Sequence, residues 1–136
     1  MKQVTLLLVD DEPPFLDAIR DYLSEYTEFY IECALSGEEA LEKIKTGRYD
    51  VVVSDYNMPE MTGVELLKGV RSFSRIPFIL FTGMGEREII DEAIENDVDL
   101  YLEKGEDLHI IAFKLSQMIL AGVYQSRNKE AGDLKI

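Results

Sequence analysis

Apolar residues along this chain fall into two alternating rhythms, short continuous runs and longer stripes with helical spacing. The first run, Val4-Thr5-Leu6-Leu7-Leu8-Val9, is nearly unbroken, as expected of a parallel strand covered on both faces. It stops at Asp10. From Pro13 the spacing changes to Phe15, Leu16, Ile19, Leu23 and Tyr26, which predicts a helix over 13–26. Pro13 and Pro14 suit a first turn whose amides need no partner. A second strand follows at about Tyr30 to Ala34. Ser36-Gly37-Glu38-Glu39 then has capping-box spacing and opens a second helix, with Ala40, Leu41 and Ile44 inward and Gly47 as its end. Val51-Val52-Val53-Ser54 reads as a third strand that delivers Asp55 at its carboxyl end. Thr62-Gly63-Val64-Glu65 repeats the capping signature before a third helix with Leu66, Leu67 and Val70 on its apolar side. Pro77-Phe78-Ile79-Leu80-Phe81 is a fourth strand, ending at Thr82 and followed by Gly83-Met84-Gly85. A fourth helix over about 86–96 faces inward through Ile89, Ile90, Ala93 and Ile94. The fifth strand, Leu100-Tyr101-Leu102, runs to Lys104, and a fifth helix fills about 108–123.

Five strands alternating with five helices predict an α/β fold with one parallel sheet and right-handed crossovers. In such a sheet every strand ends on the same edge, and ligands bind in the crevice there. The residues with chemistry to offer fall at that edge: Asp10 and Asp11, Asp55 with Asn57 just beyond it, Thr82, and Lys104. If the three aspartates converge, two carboxylates ~4 Å apart repel by about 4 kcal/mol at an effective dielectric near 20. Lys104 offsets part of that repulsion, and a hard divalent cation offsets the rest. Oxygen-only ligands favour Mg²⁺, while the lone His109 and lone Cys33 leave no zinc set. With a metal in place, an Asp55 oxygen can attack phosphorus to give an acyl phosphate. Lys104 would neutralise the phosphoryl oxygens, Thr82 would donate to one of them, and the Gly83 amide, free of a Cβ, could approach another.

Charge narrows the partners. The chain of 136 residues is the size of one domain, and its 27 acidic against 14 basic residues give a net charge of -13. No basic stripe interrupts this, so direct nucleic-acid binding is not expected. The sequence has no signal peptide and no apolar stretch of the ~18 residues needed to span a bilayer, which predicts a cytoplasmic protein without a membrane partner. Cys33 lies in the alternating stretch Tyr30-Ile31-Glu32-Cys33-Ala34 and reads as a half-buried strand residue.

As a set, these residues resemble the receiver domains of two-component response regulators. The resemblance covers about residues 3 to 122. It rests on Asp10-Asp11 after strand one, Asp55-Tyr56-Asn57-Met58-Pro59 followed by Gly63, Thr82 after strand four, and Tyr101 three residues before Lys104. It implies a flavodoxin-like, doubly wound five-stranded parallel sheet of order 2-1-3-4-5 with five helices. It further implies that Asp55 is the phosphoacceptor for a histidine kinase or phosphotransfer protein. Asp11 and Asp55 would coordinate Mg²⁺ with the Asn57 backbone carbonyl, and Asp10 would act largely through a coordinated water. Thr82 and Lys104 would contact the phosphoryl group. Tyr101 would couple phosphorylation to the surface of helix four, strand five and helix five, where a homodimer partner or a downstream protein could dock. Such a chain catalyses its own phosphorylation and hydrolysis and is a switch more than an enzyme.

Two positions depart from the family pattern. Gly105 stands where receivers usually have proline after the lysine, which loosens the expected placement of Lys104. Thr62 stands where they commonly have aspartate, a harmless change because threonine also caps a helix. Each residue also has a plainer reading: Asp10-Asp11 as a helix cap, Asp55 as a turn former, Thr82 as an N-cap, Lys104 and His109 as solvated side chains, Tyr101 as a core aromatic, and Glu12 and Glu60 as surface charges. On helix five, Leu108, Ile111, Leu115, Met118 and Ile119 form a core stripe, yet Ile110, Phe113 and Leu120 are apolar too. One face cannot bury them all, which leaves either a docking surface or the edges of the stripe. Residues 1–123 are expected to form the receiver, with 124–136 a frayed helix end or cut linker. Two rivals remain. A small aspartyl-phosphate phosphatase usually wants a second acid where Asn57 sits. A flavodoxin-like binding protein would suffer repulsion between Asp10-Asp11-Glu12 and a flavin phosphate.

Overall fold

The computed structural model describes residues 3–83 and 86–133, with side chains described through 129. Five strands and five helices alternate without exception: β1 (Thr5–Val9), α1 (Pro13–Tyr26), β2 (Tyr30–Ala34), α2 (Gly37–Thr46), β3 (Val51–Asp55), α3 (Gly63–Arg71), β4 (Phe78–Thr82), α4 (Arg87–Glu95), β5 (Leu100–Glu103) and α5 (Leu108–Asp133). The sheet is parallel throughout, in the order β2-β1-β3-β4-β5. Fold class, strand count and strand order are those expected.

Alternate residues of each central strand feed opposite layers. Leu6 and Leu8 of β1 join Val51 and Val53 of β3, with Ile79 and Phe81 of β4, against α1 and α5. Leu7 and Val9 join Val52, Phe78 and Leu80 against α2, α3 and α4. Each fully buried Leu, Ile or Val contributes about 1.5–3 kcal/mol, so a one-residue slip in any central strand would move large side chains to the wrong layer. Register therefore fixes which residues stand at the carboxyl edge.

Helix starts follow their capping chemistry. Thr62 and Glu65 form the full reciprocal box of α3: Glu65 N–H donates to the Thr62 hydroxyl at 3.2 Å, and Thr62 N–H donates to the Glu65 carboxylate at 3.0 Å. At α2 the reciprocity is altered. Ser36 accepts from Glu39 N–H, but the Glu39 carboxylate accepts from Leu35 N–H, one residue earlier than expected. Gly47 closes α2 at φ -108, so its backbone is not left-handed; a Cβ there would come within 2.9 Å of the Lys43 carbonyl oxygen, and lack of room explains the glycine.

Three expectations on the helices change. On α4 only Ala93 is fully buried; Ile89 and Ile90 are half-buried and Ile94 faces out, because a nine-residue helix turns position 94 past the edge of its narrow contact face. On α1, Leu16, Ile19 and Leu23 form the buried stripe, while Phe15 is half-buried and Tyr26 exposed. Helix α5 continues ten residues past Val123, to Asp133. Its core face is Ile111, Ala112, Leu115, Ser116, Ile119 and Val123, with Leu108 and Met118 packed at the margin. Ile110, Phe113 and Leu120 are exposed, as the excess of apolar residues on one helix required. No helix among the described residues is long and apolar enough to cross a membrane.

Candidate functional site

Asp10 follows β1 and Asp55 ends β3; the two strands are neighbours, so their carboxylates meet at the carboxyl edge. Asp10 is buried, Asp55 nearly so, and Asp11 half-buried. One carboxylate oxygen from each of the three aspartates lies within 4.8 Å of the others, a spacing at which one cation can bridge them. The Asp10 carboxylate also accepts Glu12 N–H at 2.9 Å, which sets the entry into α1 without a side-chain cap on Glu12.

Lys104 reaches this cluster from the end of β5. Its backbone is fixed by Lys104 N–H donating to the Thr82 carbonyl at 2.8 Å. Its ammonium lies 3.0 Å from Asp55 Oδ1 and 3.3 Å from Asp10 Oδ2. The spacing Asp10, Asp55, Lys104 in sequence thus becomes one ion-paired group in space, even with Gly105 following the lysine. Burial is the dominant influence on both acids and pushes their carboxyls above the ordinary range. For Asp10 the Glu12 amide and Lys104 pull the other way, and for Asp55 Lys104 and the Asn57 amide do. One ammonium does not offset the cost of collecting three carboxylates away from water, and a further cation fits the site's chemistry.

Thr82 ends β4 beside Asp55's strand, and its side chain is fully buried. Its hydroxyl has no hydrogen-bond partner among the described residues. An unmet buried hydroxyl costs on the order of 1–3 kcal/mol, so an incoming acceptor at this edge would be favoured. Gly83 follows directly; of the loop Gly83-Met84-Gly85, the last two lie outside the described residues. Asn57 is exposed on the β3–α3 loop. That loop is held close by Gly63: a Cβ at 63 would stand 2.4 Å from the Asp55 carbonyl oxygen, so only glycine lets α3 start against the strand end. Glu12 and Glu60 are exposed, and Glu60 has positive φ (66) in the same loop.

Tyr101 is 42% exposed, opposite Leu80 in the sheet register, two residues before the Glu103 that pairs with Thr82. It lies outside the core in this structure. His109 is exposed but not simply solvated: its ring lies against Tyr22 and Tyr26, and the Tyr26 hydroxyl hydrogen-bonds to its Nε2. Cys33 is half-buried, as expected, with its thiol pushed up by burial.

Two residues at the site carried no chemical signal in the sequence. Phe15 and Phe81 present rings to the Lys104 ammonium, at 4.2 and 5.7 Å from their centroids. Hydrophobic spacing marked both as core; the clue available was that each stands within five residues of a carboxyl-edge residue.

Residues 6–115 match the response regulator receiver domain family. Chemotaxis protein CheY-3 of Vibrio cholerae is 33% identical over 106 residues, covering 76% of this chain and 82% of that protein. Among solved structures, the chemotaxis response regulator CheY4 of Vibrio cholerae superposes with a TM-score of 0.76 at 29% identity, over 86% of this chain and 99% of that one. The receiver domain of the Francisella response regulator 1452 gives 0.75 at 27% identity, over 88% and 98%. A parallel sheet of order 2-1-3-4-5, an acidic trio and a lysine at its carboxyl edge, and a match across most of the length agree: the chain belongs to the response regulator receiver domain family.

Proposed function

We propose that this receiver accepts a phosphoryl group on Asp55 and signals through the surface formed by α4, β5 and α5. The observation that carries the reading is the Lys104 ammonium, 3.0 Å from one Asp55 oxygen and 3.3 Å from Asp10, in a cluster of three carboxylates. The donor is the phosphohistidine of a histidine kinase or phosphotransfer protein, or a small acyl phosphate. An Asp55 oxygen attacks phosphorus, and the phosphorus–nitrogen bond of a phosphohistidine breaks with its electron pair on nitrogen, or the phosphorus–oxygen bond of an acyl phosphate breaks and releases a carboxylate. A donor ring that enters protonated leaves as neutral imidazole. Lys104 follows the charge from the carboxylate to the phosphoryl oxygens, and the Thr82 hydroxyl, without a partner among the described residues, donates to one of them. Mg²⁺ held by Asp10, Asp11, Asp55 and the Asn57 carbonyl would supply Lewis-acid neutralisation of the oxygens. Water later attacks phosphorus, the bond to Asp55 breaks, and carboxylate and orthophosphate return. Apart from the spent donor and orthophosphate nothing is made, and the lasting result is the state of Asp55 itself, so the chain acts as a switch.

Phosphorylation adds roughly -1.5 to -2 charges beside an already acidic cluster. Drawing the Thr82 hydroxyl toward that charge alters the register neighbours Leu80 and Tyr101, which face one another across β4 and β5. Tyr101 is exposed, and an inward turn of its ring is the change of surface expected on phosphorylation. The test is incubation with Mg²⁺ and acetyl phosphate, reading intact mass and NMR shifts near Tyr101. A mass gain of one phosphoryl group, lost on mild hydrolysis and absent in Asp55→Asn, is expected. Labelling that persists in Asp55→Asn would remove the acceptor assignment.

A further inference from the structure

Lys104 has four side-chain torsions, and the residue after it, Gly105, restrains the backbone least of all residue types. Its ammonium is nonetheless confined. Besides the Asp10 and Asp55 carboxylates, it sits 4.2 Å from the centroid of Phe15 and 5.7 Å from that of Phe81. The two rings meet edge to face, 6.0 Å apart at 86°. Phe81 is buried in β4, whereas Phe15 sits half-buried on the first turn of α1, where Pro13 and Pro14 fix its approach. Leu16, Ile19 and Leu23 supply the fully buried face of α1, and Phe15 packs at the margin of that core with part of its ring turned to the lysine.

We infer that Phe15 is a positioning residue for phosphoryl transfer, its ring face holding the Lys104 ammonium at the mouth of the acidic cluster. This rests on the reading of Asp55 as phosphoacceptor. A ring quadrupole attracts a cation without fixing its direction. A carboxylate pair alone would hold the ammonium wherever those two oxygens lie. The ring instead keeps it at the same depth while its partner changes from an Asp55 oxygen to a phosphoryl oxygen, a displacement that a directional hydrogen bond from protein would oppose. Leucine at 15 would fill the space but supply no attraction, leaving the ammonium of a long flexible side chain held by the two carboxylates alone.

The experiment replaces Phe15 with phenylalanines carrying one, two and three fluorines, which weaken the quadrupole while keeping the ring's shape, and adds Phe15→Leu and Phe15→Trp. Labelling by acetyl phosphate with Mg²⁺ should slow stepwise along the fluorinated series to about tenfold in total, equivalent to ~1.4 kcal/mol of barrier. Phe15→Leu should match the slow end, and Phe15→Trp should restore a rate near that of the parent. In phosphate-free, Mg²⁺-free protein the Lys104 ε protons should be shifted upfield by the ring current and return in Phe15→Leu. A rate that does not change across the fluorinated series, in proteins of unchanged circular dichroism, overturns the positioning role, as do unshifted ε protons. If the parent itself is not labelled, the phosphoacceptor reading fails and the positioning role goes with it, while the ring-current shift separately decides the contact.

Discussion

Asp10 and Asp55 are buried acids whose carboxyls are pushed above the ordinary range, first of all by burial. A raised folded-state value means that the fold favours the protonated acid. The associated stability is complete below the unfolded value near 4 and is lost as pH rises through the folded value. At neutral pH without a divalent cation the pair therefore works against folding. Asp55→Asn should leave the Mg²⁺-free protein as stable as the parent or more so, by on the order of 1 kcal/mol, with the gain shrinking as pH falls toward 4. Urea midpoints across that pH range measure it; a loss of several kcal/mol at pH 7 would show that the Lys104 pairing outweighs burial. These acids were legible in the sequence because each closes an apolar run, and a parallel sheet brings such ends together. The rings around Lys104 were not, since periodicity reports that a position is apolar and says nothing of what its face touches.

At the level of elements, the internal rhythm of the chain predicted every strand and helix, and the discrepancies cluster where rhythm fades. Beyond Val123 the apolar stripe gives way to Tyr124, Gln125, Ser126, Arg127, Asn128 and Lys129, residues that permit a helix without announcing one. One contact that helps hold the extension is far away in sequence: Arg127 lies 3.6 Å from Asp50, whose carboxylate also accepts Thr5 N–H at 2.8 Å. The ion pair is partly exposed and worth about 1 kcal/mol at most. A chain ending at Val123 should accordingly lose only the helical circular dichroism of those ten residues and keep its labelling at Asp55, with an unfolding free energy in urea lowered by about 1 kcal/mol. A loss above ~3 kcal/mol would make the last ten residues of α5 part of the folding unit. Ile94 illustrates the opposite error: the right spacing for a buried stripe, on a helix whose contact face is too narrow to use it.

For the molecule as a whole, a net charge of -13 makes compactness self-repelling, most sharply at the carboxyl edge. Added NaCl should raise the melting temperature modestly by screening, since the Debye length falls from about 10 Å at 0.1 M to about 3 Å at 1 M. Millimolar Mg²⁺ should raise it by several degrees more than NaCl of equal ionic strength, and Asp55→Asn should erase most of that difference. Equal responses to the two salts would mean that the three aspartates hold no cation. Receiver fold and candidate site are thus legible largely because the carboxyl edge gathers residues from distant stretches of chain. Which residues of α4, β5 and α5 stay exposed was legible only in part, because exposure depends on what packs nearby. Helix α5 joins these scales. It begins four residues after Lys104 and runs unbroken for 26 residues, about 39 Å, with Asp50, just before β3, tethering it at Arg127. One unbroken element therefore borders both the lysine and the opposite edge of the sheet, so a displacement at its first turn would be carried to the Arg127 contact near its other end.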